Sequence, residues 1–271
     1  MPDFTILMPP AEGKQTGGNP LAPDMFDIRA GGTFNYFREL NPERKKLIAA
    51  LQEFVRTGED AHESVFGVKG DTLAQALEDN LNLSGAPLMA ALERYSPGVM
   101  YQSMDFQGLP TGAQRRFLEH TVIVSGLYGL LRPDDLIPVY RLKIDASLPE
   151  IGKVSTFWRP RVSEVLNRTV KGRIVWNLLP NAHQDVWDDE HTYEEQFLVK
   201  FVREKAGERS TVSHGAKQLR GQLVNYIARE TVDDLEGLRE WRAPDGYRLD
   251  EHSTETDADA KTTTLVYVRK G

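Results

Sequence analysis

Short apolar runs punctuate this chain, and their spacing alternates between the two-residue period of strands and the 3.6-residue period of helices. Phe4 to Met8 is a strand-sized run stopped by Pro9-Pro10, so it predicts a first strand feeding a loop. That loop is long, because residues 9–24 hold four prolines and three glycines, with Glu12, Lys14 and Gln15 among them. Asn41-Pro42 supplies a cap followed by proline at the first helical position, and Leu47, Ile48, Leu51, Phe54 and Val55 then recur at helical spacing. A helix over 42–57 follows. Residues 60–77 read as two short helices about Phe66-Gly67-Val68-Lys69-Gly70, with Asp71 capping the second. Further helices are expected over Ala86–Tyr95, Pro110–Glu119, 157–168 and Ala216–Arg229, the last with Leu219, Leu223, Tyr226 and Ile227 inward. Strands are expected at Thr121–Val124, Arg173–Leu178, Phe197–Val202, Ser210–Ser213 and Leu265–Val268, the closing one after a hairpin-like excursion from Glu251. Helices and strands alternate too irregularly for a regular doubly wound sheet. With no internal repeat and no sharp compositional break, the expectation is a mixed α/β (α+β) fold in one domain spanning 1–271.

Composition narrows the chemistry. The chain has 271 residues and no cysteine, which excludes disulfides, thiolate metal sites and a thiol nucleophile. No apolar run approaches the length of a bilayer span, and the N-terminus shows no basic region followed by an apolar stretch. The expectation is a cytoplasmic protein without a membrane partner. Net charge is −7, yet residues 141–173 carry eight Lys/Arg against three Asp/Glu, and 200–229 carry seven against two. Such bias can place a basic face on an acidic protein, or merely scatter charge over a solvated surface.

Two segments concentrate candidate chemistry. In the first, Ser125-Gly126-Leu127-Tyr128-Gly129 follows a predicted strand, and Arg132 and Arg141 flank Asp134 and Asp135 before Lys143. Glycines after a strand let a ligand approach the backbone, and arginines clamp phosphate through paired N–H groups. The same residues also suit a tight turn in which the arginines pair with the two aspartates. The second segment is Pro9-Pro10-Ala11-Glu12-Gly13-Lys14, where Lys14 is either a phosphate-binding cation or a solvated loop lysine.

Taken together, these segments resemble the YaaA-like peroxide-stress protein family. The resemblance rests on Ser125 to Leu131, Arg132-Pro133-x-Asp135, Tyr140-Arg141-Leu142 and Pro9-Pro10-x-Glu12-Gly13-Lys14. Glu93-Arg94-Tyr95, Gly98-Val99-x-Tyr101, Phe157-Trp158, Lys217-x-x-Arg220-Gly221 and Gly246-Tyr247 extend it over nearly the whole chain. It implies a compact domain with a twisted mixed sheet, a positively charged cleft and a helix-hairpin-helix element that binds DNA. It also implies a role in limiting iron-driven oxidative damage. Carried onto this chain, Lys14, Arg132, Arg141, Lys143, Lys217 and Arg220 would line the cleft and touch phosphates. Gly126 and Gly129 would position loops, and Asp135 would orient a clamp arginine. The Gly67-x-x-Gly70 turn, with Lys69, is the candidate hairpin, offering the amides of Gly67, Lys69 and Gly70 to DNA backbone phosphates without regard to base sequence.

One stretch departs from the family pattern: Pro180 and His183 stand where a serine and a tyrosine are expected. An alternative function therefore stays open, an enzyme acting on a nucleotide or other phosphorylated small molecule in the same cleft. Glu12 or Asp135 would then serve as general base, and Tyr128 and Tyr140 would stack on the base. His183, Asp185, Asp188, Asp189, Glu190 and His191 are potential ligands for Mn²⁺ or Fe²⁺, and an iron or manganese buffer is the last-ranked alternative; with no facial-triad or zincin spacing the cluster reads first as an acidic solvent-facing turn. No metal or cofactor is expected. His214, before a helix, reads as a hydrogen-bonded structural residue.

Overall fold

A computed structural model describes residues 3–26, 35–57, 59–212 and 215–271. The first strand, β1 (Phe4–Met8), is buried along its whole length. Such a strand has both faces covered, which is the environment of a central parallel strand. Accordingly β1 pairs in parallel with β2 (Thr121–Ser125) on one side and with β4 (Ile174–Asn177) on the other. β3 (Gly129–Leu131) turns back antiparallel onto β2. Beyond β4 lie β5 (Glu195–Lys205) and then β9 (Thr262–Lys270), both parallel, so five parallel strands form the centre. Short antiparallel strands close the edges: β6 (Glu208–Thr211) on β5, and β7 (Arg248–Leu249) and β8 (Glu255–Asp257) on β9. The result is a mixed sheet of nine strands in one hydrophobic core, as the irregular alternation predicted.

Helices flank the sheet, most of them where the apolar spacing placed them. Among them are α1 (Asn41–Thr57), α2 (His62–Phe66), α3 (Gly70–Leu81), α4 (Val99–Met104), α5 (Thr111–His120), α6 (Val154–Thr169) and α7 (Ala216–Glu230). Two expectations need correction. Only Ala91–Arg94 is helical within the predicted 86–95 helix. Its entry is claimed by long-range partners: Leu88 exchanges bonds with Asn19, while the Ala91 and Leu92 amides donate to Asp135 and Pro133 carbonyls at 2.8 Å each. Asp71 does not cap α3 either. Lys69 occupies that position in extended conformation, and Asp71 lies in the first turn, where its charge complements the helix dipole. The six-residue α4 escaped notice because so short a stretch carries little periodicity. It packs tightly on α7, where a side-chain carbon on Gly221 would fall 2.2 Å from the Met100 carbonyl oxygen.

Two fully buried arginines hold the irregular segments. Arg44 donates to the Tyr128 and Leu130 carbonyls at 2.9 and 2.6 Å, and to Asn35 and Asn41 side chains at 2.9 and 3.0 Å. Arg94 donates to the carbonyls of Gln15, Gly17, Pro87 and Ile137, and its own carbonyl accepts the Gln15 amide at 2.8 Å. Burial lowers both guanidinium pKa values, that of Arg44 to about 10.

Arg94→Met should leave those carbonyls without donors while keeping the bulk, at a cost of roughly 2–4 kcal/mol. Urea denaturation should show the lower midpoint, and an unchanged midpoint would mean that the arginine ties are dispensable.

Candidate functional site

The chain leaves β1 toward β2 on one side of the sheet, and leaves β4 toward β5 on the other. Between the carboxyl ends of β1 and β4 the connections therefore diverge, which is where open α/β sheets form ligand crevices. A cavity of about 570 Å³ lies there. Its walls come from the Pro9–Lys14 loop after β1, from Pro180, Ala182 and His183 after β4, from Tyr140–Asp145, from Pro97–Tyr101, and from Lys217 and Arg220 of α7.

Local constraints shape each wall. Tyr101 donates its hydroxyl to the Pro9 carbonyl at 2.9 Å. Gly98 lacks a side chain because a carbon there would fall 2.5 Å from the Ala11 side chain, so the loop closes onto the start of α4. Asn177 folds back to accept the Leu179 amide at 3.1 Å, directing the next loop to the cavity. Gly126 has Leu142 pressed against it, its missing side-chain carbon being only 2.6 Å from that carbonyl, which fixes the strand of chain carrying Arg141 and Lys143. Lys217 and Arg220 face the cavity on the helix that Gly221 seats against α4.

Six predicted residues thus meet: Glu12, Lys14, Arg141, Lys143, Lys217 and Arg220 line one cavity. The Glu12 carboxylate lies 3.7 Å from Arg141 and 3.9 Å from Lys143. Lys14 is different. Its Nζ donates to the Ala11 and Glu12 carbonyls at 3.1 and 3.4 Å and sits 4.2 Å from the centroid of the Tyr140 ring. Burial first, and then the nearby Arg141 charge, pull its pKa down to about 7, against the opposing influence of Glu12. Behind it runs a buried hydroxyl chain, Tyr95 to Tyr140 at 2.6 Å and Tyr140 to Ser125 at 2.8 Å.

Arg132 does not join this cavity, contrary to expectation. Its guanidinium donates to the Leu118 carbonyl at 3.2 and 2.7 Å and lies 5.2 Å from the centroid of the Tyr36 ring. Asp135 orients no clamp arginine side chain. It is buried and accepts the Arg132 and Tyr36 amides at 2.7 and 3.2 Å, while burial raises its pKa to about 6. Nor do Arg132 and Arg141 pair with Asp134 and Asp135: Asp134 accepts the Tyr36 hydroxyl at 2.7 Å, and Arg141 faces Glu12. Gly129 serves the core, with φ +68° and the Trp158 ring 3.0 Å from where its side chain would begin. Tyr128 and Tyr140 cannot both offer faces to a base. They pack edge to face in the interior, and Lys14 covers Tyr140.

The Gly67-x-x-Gly70 turn borders the cavity. A side-chain carbon at Gly67 would fall 2.7 Å from Lys143 Nζ, and Arg141 Nε donates to the Phe66 carbonyl at 3.2 Å. The Gly67 amide donates to Glu63 at 2.9 Å, so among the three amides expected to meet phosphate it is already engaged. Lys69 forms an exposed ion pair with the same residue at 2.9 Å.

The 183–191 cluster separates. Asp185 pairs with Lys153, Asp188 lies near Arg159, and Asp189 accepts the Tyr193 hydroxyl. Among the described residues no three His, Asp or Glu side chains gather as a metal site. His183 instead enters the cavity wall, where burial lowers its pKa to about 4 and Nδ1 is buried without a hydrogen-bond partner among the described residues. The departure from the family pattern at this loop was the one sequence signal for it. His214 lies outside the described residues. No helix among the described residues is long and apolar enough to cross a membrane.

The fold is that of an α/β protein with a cavity at the diverging ends of its parallel strands, lined by Lys14, Arg141, Lys143, Lys217 and Arg220 together with the carboxylates of Glu12 and Asp145. The family model described as peroxide stress protein YaaA matches residues 4–253, and the chain belongs to that family. A UPF0246 protein of Streptomyces coelicolor is 28% identical over 222 residues, 82% of each chain. A UPF0246 protein of Rickettsia bellii is 30% identical over 155 residues, 56% of this chain and 62% of its own. One from Alteromonas mediterranea is 32% identical over 177 residues, 64% of this chain and 66% of its own. The matched region thus spans under two thirds of the Rickettsia relative's length.

Two titrations test the site. Amine labelling of Lys14 should show a midpoint near pH 7, far below surface lysines at about 10.4. Arg141→Ala should move that midpoint upward, because a neighbouring positive charge is removed; a Lys14 midpoint near 10 in wild type contradicts the geometry. His183 holds its proton less tightly folded than unfolded, so its contribution to stability falls as pH drops from about 6.5 toward 4. Asp135, whose folded pKa is raised, acts oppositely between 3.8 and about 6. The diagnostic is therefore the difference in stability between wild type and His183→Gln, which should shrink with acidification over that window.

Proposed function

We propose that the protein serves the peroxide-stress response by binding the sugar-phosphate backbone of DNA across the Gly67–Gly70 turn and the adjoining cavity, helping to limit iron-driven damage. The supporting observation is the contact of that turn with Lys143 and Arg141, which makes turn and cavity mouth one continuous surface. A backbone phosphate at the turn would meet the Lys69 and Gly70 amides. Lys69 can exchange its exposed partner Glu63 at little cost, since such pairs contribute about 0–1 kcal/mol. Arg220, half-buried with Nε unpaired among the described residues, and Lys217 would extend phosphate contact inward. Contacts of this kind are salt-sensitive and indifferent to base sequence.

A second reading, a nucleotide-sized phosphorylated ligand, is favoured by the cavity volume of about 570 Å³, which falls in the range of small-molecule pockets. Under it, phosphate would lie on Arg141 and Arg220, without stacking on Tyr128 or Tyr140.

Fluorescence anisotropy with a short duplex and a single strand, across salt concentrations, tests both readings. Lys69→Glu should weaken DNA binding several-fold and reduce the salt slope by about 1. Arg141→Ala should cost about tenfold. Absence of binding at low salt sinks the DNA reading, and a labelled nucleotide that binds and responds to Arg141→Ala supports the second.

A further inference from the structure

Lys14 is unlike the other cations of the cavity. Arg141 and Lys143 share the Glu12 carboxylate, while Lys14 has only two backbone carbonyls as hydrogen-bond partners and an aromatic face beneath it. No carboxylate lies within ion-pair distance of its Nζ among the described residues. The loop that carries it is held one residue later by Arg94, through both the amide and the carbonyl of Gln15. A half-buried amine that lines the cavity over an aromatic ring is arranged as a reactant more than as a solvated charge.

We propose that Lys14 condenses reversibly with the carbonyl carbon of a phosphorylated aldehyde whose phosphate is held by Arg141 and Arg220. This rests on reading the cavity as a phosphate site. The Nζ lone pair of the neutral amine adds to the carbonyl carbon, forming a C–N bond, and a proton passes from nitrogen to oxygen to give the carbinolamine. Loss of that oxygen with one solvent proton releases water and leaves a protonated imine. The net step joins amine, aldehyde and one proton into iminium plus water, with no oxidant or reductant. Burial and Arg141 keep the neutral amine available near pH 7, where ordinary surface lysines are protonated. Arg220 lines the same wall, and its Nε is buried without a hydrogen-bond partner among the described residues. A free sugar phosphate and an abasic sugar within a DNA strand present the same reacting groups, and the test separates these two sources.

The test is reductive trapping with cyanoborohydride, read by intact mass and peptide mapping. The probes are ribose 5-phosphate, ribose, and a single-stranded oligonucleotide bearing one abasic site. Binding without reductant is measured in parallel. Adduct should form on Lys14 with at least one phosphorylated probe, rise with pH through about 7, and disappear in Lys14→Arg. Ribose should label at least tenfold less at equal concentration, and Arg220→Ala, confirmed folded by circular dichroism, should lose a similar factor with the phosphorylated probe. Trapping of ribose 5-phosphate alone assigns a free sugar phosphate, and trapping of the oligonucleotide assigns DNA. Binding of either phosphorylated probe with labelling of Lys14 no greater than that of exposed Lys171 overturns the covalent step and leaves the phosphate site standing. Failure to bind either probe overturns both.

Discussion

Everything about the cavity depends on one buried cation, Arg94. A guanidinium in the interior must find a partner for nearly every N–H, since leaving such a group unsatisfied costs several kcal/mol. Arg94 finds them in carbonyls of segments with little regular structure: Gln15 and Gly17 in the first loop, Pro87 before a short helical turn, and Ile137 in the two-residue strand Leu136–Ile137 beyond β3. These segments are thereby forced together, and the loop holding Lys14 acquires a single path. Arg44 does the same for Tyr128, Leu130, Asn35 and Asn41. Arginine-to-carbonyl ties replace the regular ladders that long loops lack, which is how so irregular an outline keeps a well-packed core.

The basic residues consequently divide into two populations with opposite physics. Arg44, Arg94 and Arg132 are structural, donating to main-chain carbonyls and, for Arg44, to two asparagine side chains as well, and they offer little to a ligand. Lys14, Arg141, Lys143, Lys217 and Arg220 surround open space. Within the second group, Arg141 both pairs with Glu12 and depresses the proton affinity of Lys14, so the cavity combines fixed cations with one amine near neutrality. His183 adds a neutral ring on the same wall. Cationic side chains and this amine thus share one cavity, whose mouth lies beside the Gly67–Gly70 turn.

Close backbone contacts enforce this arrangement at three glycines. Gly98 admits Ala11, Gly126 admits Leu142, and Gly221 admits Met100. Each brings a cavity-lining segment nearer than any side chain would permit, so the three positions together set the depth of the site.

From the sequence alone, the main elements were legible because their signals are local. The apolar run of β1, the Asn41-Pro42 start of α1 and the spacing of Leu219, Leu223 and Ile227 in α7 each lie within a few residues of one another. The absence of cysteine and the family motif were equally plain, and the resemblance brought Glu12, Lys14, Arg132, Arg141, Lys143, Lys217 and Arg220 into one candidate set, of which all but Arg132 line the cavity. Tertiary structure decided the rest. Whether an arginine ties carbonyls or faces solvent depends on partners far along the chain, as Arg132 with Leu118 and Arg94 with Gln15 and Ile137 demonstrate. The helical pattern over 86–95 yielded to bonds from Asn19, Pro133 and Asp135 for the same reason. A proton affinity likewise belongs to an environment and not to a residue type, so the near-neutral amine of Lys14 and the unprotonated ring of His183 arise only when burial and Arg141 surround them.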